Sequence, residues 1–295
     1  MKEKQVSGSL IFGCGDVGRR IAKQLLADGS SPNLLAGYVN SQESAAKAAS
    51  IGVACDILDL DAPSELRLGA CNGARLYYTI APQKQGVVDK RSRAVIDAFG
   101  AQGIKPDKVV LISTTGVYGD SGGNWVDEQS LTQPQTERGQ RRLDSEQCWL
   151  AWSQEQGVDV VVLRVPGIYA FSRLPRDRLK RQTPVVKPSE CGFTNRIHAD
   201  DLANICIVSM ESSQTGEIYN ATDGSPGTIA EYLQAAASAL GYPALPEISM
   251  KQAQSQLSSG MLSYLNESRK ISNRKLIDKL GVKLRYPDFR KGILK

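Results

Sequence analysis

The apolar positions of the chain fall into short runs separated by stretches with helical spacing. Leu10-Ile11-Phe12 is one such run; it breaks into Gly13-Cys14-Gly15-Asp16-Val17-Gly18 and then into a segment where Ile21 and Leu25 share a helical face. A short apolar run predicts a strand and the four-residue spacing a helix. Residues 34–39 predict a second strand, 45–50 a helix, 51–57 a third strand, and 74–82 a fourth that runs into a proline-containing loop. Residues 87–99 read as a helix marked by Val88, Val95 and Phe99. Residues 108–114 and 158–165 are rich in β-branched side chains and predict strands five and six.

Strands alternating with helices imply right-handed βαβ units and a parallel sheet covered on both faces. The expected fold class is therefore α/β: a Rossmann-type doubly wound parallel sheet with a smaller C-terminal substrate-binding region. The expected division is 1–170 for the dinucleotide domain and 171–295 for the substrate side, with 193–222 returning to the sheet. Past Gly167 the alternation decays, and 171–191 is rich in Pro and Arg without a period. Residues 195–198 and 216–221 read as short strands. Asp200 is expected to cap a helix over 201–210 with Leu202, Ile205 and Cys206 on one face. Thr228 and Glu231 form a capping-box pattern for a helix ending at Gly241. The tail from 250 reads as helical in places and then basic.

Composition removes some alternatives. No apolar run is long enough for a membrane span, and the first residues lead into strand one without a signal-like apolar stretch, so a cytoplasmic location is expected. The 6 cysteines show no C-x-x-C spacing, and Cys55, Cys148 and Cys206 sit in apolar patterns as core residues, which argues against disulfides and a cysteine zinc site. With 1 histidine, His198, no multi-histidine metal site can be built, and no metal is expected. A net charge of +5 suits an anionic small ligand as well as nucleic acid. The cluster Arg173, Arg176, Arg178, Lys180 and Arg181 reads either as a grip for a substrate phosphate or carboxylate or as a soluble loop. With Phe171 as its one interleaved aromatic, nucleic acid is not an expected partner.

The glycine segment carries the clearest chemistry. After a strand and before a helix, G-x-G-x-x-G gives Gly13 for a tight turn, Gly15 for backbone approach to a pyrophosphate, and Gly18 for close helix packing; a purely structural turn is the alternative. An NAD site ordinarily places an acid after strand two; here Asn40 and Ser41 stand there, with Glu43 beyond, so NAD and NADP both remain open. Asp56 and Ile57 read either as adenine contacts or as a turn aspartate and a core isoleucine. The candidate cofactor contacts are thus Gly13, Gly15, Asp16, Val17 and Gly18, with Asn40, Ser41, Asp56, Ile57 and, after strand four, Ala81.

Thr114-Thr115-Gly116-Val117-Tyr118-Gly119, Arg164-Val165-Pro166-Gly167-Ile168-Tyr169, His198-Ala199-Asp200-Asp201-Leu202-Ala203 and Ser272-Asn273-Arg274-Lys275 complete a pattern. Together with Leu280-Gly281 and Tyr286-Pro287, these segments resemble an extended short-chain dehydrogenase/reductase of the NAD-dependent epimerase/dehydratase superfamily, over nearly the whole chain. The resemblance implies that Thr114 hydrogen-bonds a substrate oxygen and that a Tyr-x-x-x-Lys pair on the next helix transfers the proton.

Here the chain departs from the family. Counting back from Glu146, Arg142 takes the lysine place and Arg138 the tyrosine place. Arg142 can still donate to ribose hydroxyls, whereas Arg138 cannot lose a proton. Arg138, Arg142 and Glu146 also read as a solvated face of i,i+4 pairs. The absence of the family's Asp and Glu at Thr115 and Gly116 disfavours dehydratase chemistry. The remaining proton donors are Tyr118, Tyr169, Tyr78 and Glu137, with Tyr118 also read as a packing residue and His198 as a packing residue rather than a base. The catalytic candidates are Thr114, Tyr118 and Arg142. Two readings follow: an NAD(P)-binding oxidoreductase-like protein acting on a small sugar-like or anionic substrate, and a non-catalytic dinucleotide sensor or scaffold. A homodimer is compatible with either, and an RNA-associated role rests on charge alone.

Overall fold

The computed structural model describes residues 8–62, 66–212, 216–256, 262, 265 and 267–294. The chain forms two compact units. One comprises Met1–Thr114, Thr136–Arg164 and Leu202–Tyr219; the other comprises Thr115–Gln135, Val165–Asp201 and Asn220–Lys295.

The first unit is built on the strands β1 (Ser9–Phe12), β2 (Leu35–Val39), β3 (Ala54–Ile57), β4 (Arg75–Tyr78), β5 (Lys108–Thr114), β6 (Asp159–Val165) and β7 (Ile218–Asn220). They form a seven-stranded sheet in the order β7-β6-β5-β4-β1-β2-β3, with β1 parallel to both β2 and β4. The chain direction of the winding reverses between β1 and β4, and open α/β sheets hold ligands beyond the carboxyl ends of strands at such a point. Helices α1 (Asp16–Ala27), α2 (Gln42–Ala49), α3 (Lys90–Gln102) and α4 (Glu137–Gln156) lie between the strands in the chain. A buried aromatic row fastens α4 to the sheet: Phe12 to Tyr78 at 5.9 Å, Tyr78 to Trp149 at 5.1 Å, and Trp149 to Trp152 at 5.5 Å between ring centroids. Such pairs add about 0.5–1.5 kcal/mol each beyond burial.

The elements match the expected alternation, and their edges shift for local reasons. Helix α2 begins three residues before the expected 45, because Ser41 accepts a hydrogen bond from the Ser44 N–H and caps it. Strand β3 begins at Ala54, not 51, since Gly52 takes φ +82° in a turn. Helix α3 starts at Lys90 because Asp89 caps it through the Arg91 and Ser92 N–H groups. The helix α5 (Ala199–Glu211) contains Asp200 in its first turn, so Asp200 is not the expected cap; its N–H instead donates to His198 Nδ1 at 3.2 Å. Leu202, Ile205 and Cys206 are fully buried, whereas Cys55 and Cys148 are half-buried rather than core.

The second unit is made of short strand pairs, among them Arg196–His198 parallel to Gly167–Tyr169 and Lys270–Ile271 parallel to Trp125–Val126. Its core gathers Tyr169, Leu179, Val185, Leu233 and Phe289. Both bonds of the Thr228–Glu231 capping box are made, and the helix they open runs Ile229–Ala239. Of the segment 193–222, Ile218–Asn220 joins the sheet, while Phe193–Thr194 pairs with Gly227–Thr228. Part of the expected helical tail, 257–261, lies outside the described residues. Among those residues no helix is long and apolar enough to cross a membrane, and no group of three or more His, Cys, Asp or Glu is arranged to hold a metal ion.

Candidate active site

The glycines after β1 have different reasons to be glycine. Gly13 takes φ +90°, and a Cβ there would lie 2.7 Å from Thr79 Oγ1, whose hydroxyl donates to the Gly13 carbonyl at 2.7 Å. At Gly18 a Cβ would lie 2.7 Å from the Gly13 carbonyl oxygen and 2.9 Å from Ile11 Cγ2, so only glycine lets α1 approach β1 this closely. At Gly15 the nearest atom to a Cβ is the Gly13 oxygen at 3.8 Å. Packing inside the protein demands glycine at 13 and 18 but leaves 15 unexplained.

Gly15 faces a cavity of about 240 Å³ beyond the carboxyl ends of four strands. Gly13, Cys14 and Gly15 line it after β1, Tyr38, Val39 and Asn40 at the end of β2, Leu58 to Asp61 after β3, and Ile80 and Ala81 after β4. Ser44 enters from α2 and Arg91 from α3. Arg91 Nε donates to Asp61 Oδ1 at 2.7 Å, Nη2 donates to Asp61 Oδ2, and Nη1 donates to the Ala81 carbonyl at 2.8 Å. This guanidinium holds the Asp61 carboxyl below the usual carboxylate range. Cys14 lies in the turn but is no nucleophile: burial, and then Cys55, push its thiol up to about 12.

Of the expected cofactor contacts, Gly13, Gly15, Asn40 and Ala81 line this cavity. Asp16 sits in the first turn of α1 with its carboxylate 3.3 Å from Arg20 Nε, Val17 and Gly18 lie within that helix, and Ser41 caps α2. Asp56 and Ile57 are not among the lining residues. They pair with Tyr38 and Val39 inside the exposed edge strand, and the chain reaches the cavity only at Leu58. Among the lining residues not foreseen are Ser44, Asp59, Asp61 and Arg91, each brought in by strand register or by a helix cap.

Thr114 ends β5 half-buried. Arg142 Nη1 donates to the carbonyls of Ile112 at 2.9 Å and Ile80 at 3.3 Å, at the carboxyl ends of β5 and β4. Burial lowers its pKa, but arginine starts high enough to keep its proton, so a fixed cation stands there. Arg138, one turn earlier, is exposed. Glu146 is buried and takes Arg164 Nη2 at 2.8 Å, both contacts of Arg164 Nε at 3.2 Å, and the Ser113 hydroxyl at 2.5 Å. Arg138, Arg142 and Glu146 therefore do not form one solvated face.

The other proton donors are placed as follows. Tyr118 is buried in the second unit, its hydroxyl donating to Asn220 Oδ1 at 2.8 Å, a packing position. Burial raises Tyr78 and Tyr169 well above the ordinary phenol value. Glu137 is exposed, 3.4 Å from Arg141 Nη1. His198 is buried between the rings of Tyr169 and Tyr286, with centroids 5.1 and 3.9 Å away.

Residues 90–222 match the NAD dependent epimerase/dehydratase family. That match takes in a little under half of the chain. A protein of Sinorhizobium fredii, y4nG, is 28% identical over 151 residues, which is 48% of this chain and 37% of that relative's length. Among solved structures, a conserved protein of Silicibacter pomeroyi has a TM-score of 0.82 at 28% identity, covering 97% of each chain. The UDP-glucuronic acid 4-epimerase of Bacillus cereus, solved with NAD, has a TM-score of 0.76 at 16% identity over 97% of this chain and 94% of its own. A dTDP-glucose 4,6-dehydratase of Streptomyces venezuelae, solved with NAD, has a TM-score of 0.74 at 16% identity over the same shares of the two chains. These neighbours share the α/β fold with its Rossmann-type sheet.

Proposed function

We propose that the chain is a member of the NAD-dependent epimerase/dehydratase superfamily, binds NAD or NADP in the cavity of its first unit, and is an oxidoreductase-like protein acting on a small sugar-like or anionic substrate. Gly15 carries the reading: its missing side chain serves no protein contact and faces the space where a pyrophosphate would approach the start of α1. The residues fit the remaining parts of a dinucleotide. Asn40 and Ser44 offer hydrogen bonds to a ribose, and Leu58 and Leu60 offer apolar walls to an adenine. The NAD-bound epimerase and dehydratase neighbours support the reading. When bound, the dinucleotide supplies a hydride donor or acceptor.

This chain's part is to hold and orient. Arg142 keeps its charge and donors at the carboxyl edge of the sheet, in the family's lysine place. Thr114 contributes a hydroxyl for a substrate oxygen. Arg138 in the tyrosine place rules out the family's usual proton relay through that position. Calorimetric titration with NAD⁺, NADH, NADP⁺ and NADPH tests the reading, with Gly15→Trp as the blocked control. Micromolar or tighter binding that is lost in the control is expected. Absence of binding to the unaltered protein would refute it. A screen of carbonyl and alcohol substrates then reads turnover, which Thr114→Ala should abolish while binding persists; a dinucleotide binder without turnover would be a sensor or scaffold instead.

A further inference from the structure

The end of β2 lacks the acid that would discriminate between cofactors, yet the cavity does not lack one. The β2–β3 register runs to Val39↔Ile57, and the Leu58 N–H continues it by donating to the Val39 carbonyl at 2.8 Å. One residue further, Asp59 joins Asn40 in lining the cavity, so the next strand delivers the carboxylate that β2 omits. The Asp61 N–H donates to Asp59 Oδ1 at 2.9 Å, a turn that fixes the side chain while leaving acceptor capacity for a ribose hydroxyl.

The cations nearby are engaged. Among the described lining residues Arg91 is the cation, and both arms of its fork hold Asp61. Lys47 on α2 is 2.5 Å from Glu43. The Ser41 hydroxyl accepts from the Ser44 N–H and lies 3.0 Å from the Ser44 hydroxyl, and Glu43 occupies the same first turn. A ribose 2′-phosphate, with a charge of about −1.5 to −2 at neutral pH, would meet Asp59 without a free cation in the lining.

We infer that the cavity selects NAD(H) over the 2′-phosphorylated dinucleotide and that Asp59 is the specificity-determining residue. This rests on the dinucleotide reading above. The test is calorimetric titration of NADH and NADPH into the full chain and its Asp59→Asn variant, which keeps the turn acceptor, at low and at high salt. The unaltered protein should bind NADH at least about tenfold more tightly, roughly 1.4 kcal/mol. Asp59→Asn should bring the two within about threefold, mainly by tightening NADPH, and salt should narrow the ratio of the unaltered protein. Equal affinities in the unaltered protein, or an unchanged ratio in Asp59→Asn, would overturn the assignment and leave dinucleotide binding standing. Binding of neither dinucleotide would bring down both.

Discussion

Alanine at each of the three glycines separates what the fold requires from what a ligand requires. Gly18→Ala forces a methyl to 2.7 Å from a carbonyl oxygen and 2.9 Å from a buried isoleucine methyl, both in the packed seam of α1 and β1. Overpacking of that kind costs about 1–3 kcal/mol. Gly13→Ala adds left-handed backbone strain of about 1–2 kcal/mol to displacement of the Thr79 hydroxyl, a hydrogen bond worth about 1 kcal/mol. Gly15→Ala meets nothing closer than 3.8 Å, and its φ of −76° is not left-handed. Alanine is a poorer helix cap than glycine by about 1 kcal/mol, and the stiffer unfolded chain returns about 0.4–1 kcal/mol. The net effect on stability is within about 1 kcal/mol of zero.

The affinities should run the other way. The Gly15 methyl occupies the approach to α1, so NADH should bind at least about tenfold more weakly although the protein is as stable as before. Urea denaturation gives the stabilities and calorimetric titration the affinities. The reasoning fails if Gly15→Ala destabilises as much as Gly18→Ala, which would make all three glycines structural. It fails equally if Gly15→Ala binds NADH as well as the unaltered protein.

Two further outcomes follow from buried charge. Arg164→Met leaves Glu146, its side chain 2% exposed, with an uncompensated charge and should cost about 3–5 kcal/mol in urea denaturation, whereas the double variant with Glu146→Leu should recover most of that loss; equal losses would deny the pair its role. Asp223 is raised from 3.8 to about 7, by burial first, with Asp288 adding and Arg196 and Arg290 opposing. Its folded pKa exceeds the unfolded one, so its stabilisation is full below about pH 4 and lost as pH rises through about 7. Asp223→Asn should therefore flatten that fall, worth up to roughly 4 kcal/mol at 1.36 kcal/mol per pH unit; an unchanged pH–stability curve would refute it.

The sheet was legible because its evidence is local. Each strand announces itself by apolar runs such as Val109 to Ile112, and each helix by spacing, so the α/β alternation needs no contact between distant residues. The glycine turn was legible for the same reason. The cavity wall was not. Whether Asp56 or Asp59 faces a ligand depends on where β3 ends against β2, a register set by Tyr38 and Val39 some eighteen residues away. Arg91 is likewise invisible as a lining residue until the cap at Asp89 fixes where α3 begins and so where its first turn points.

Helix α4 shows how packing on one side of a helix fixes what its earlier turns can present. Its position is set on the buried side by Trp149, Trp152 and Ser145, and by Glu146 clamped to Arg164 and Ser113 from the sheet. One turn before Glu146 on the same face must come a residue aimed at the strands' carboxyl ends, and Arg142 stands there holding the Ile80 and Ile112 carbonyls. One turn earlier still the helix has passed the sheet edge, and Arg138 is in solvent. The packing positions thus fix the helix on the sheet, while the two positions one and two turns before Glu146 carry cations. Arginines at these two positions can anchor hydroxyls and anions but do not give up a proton at neutral pH.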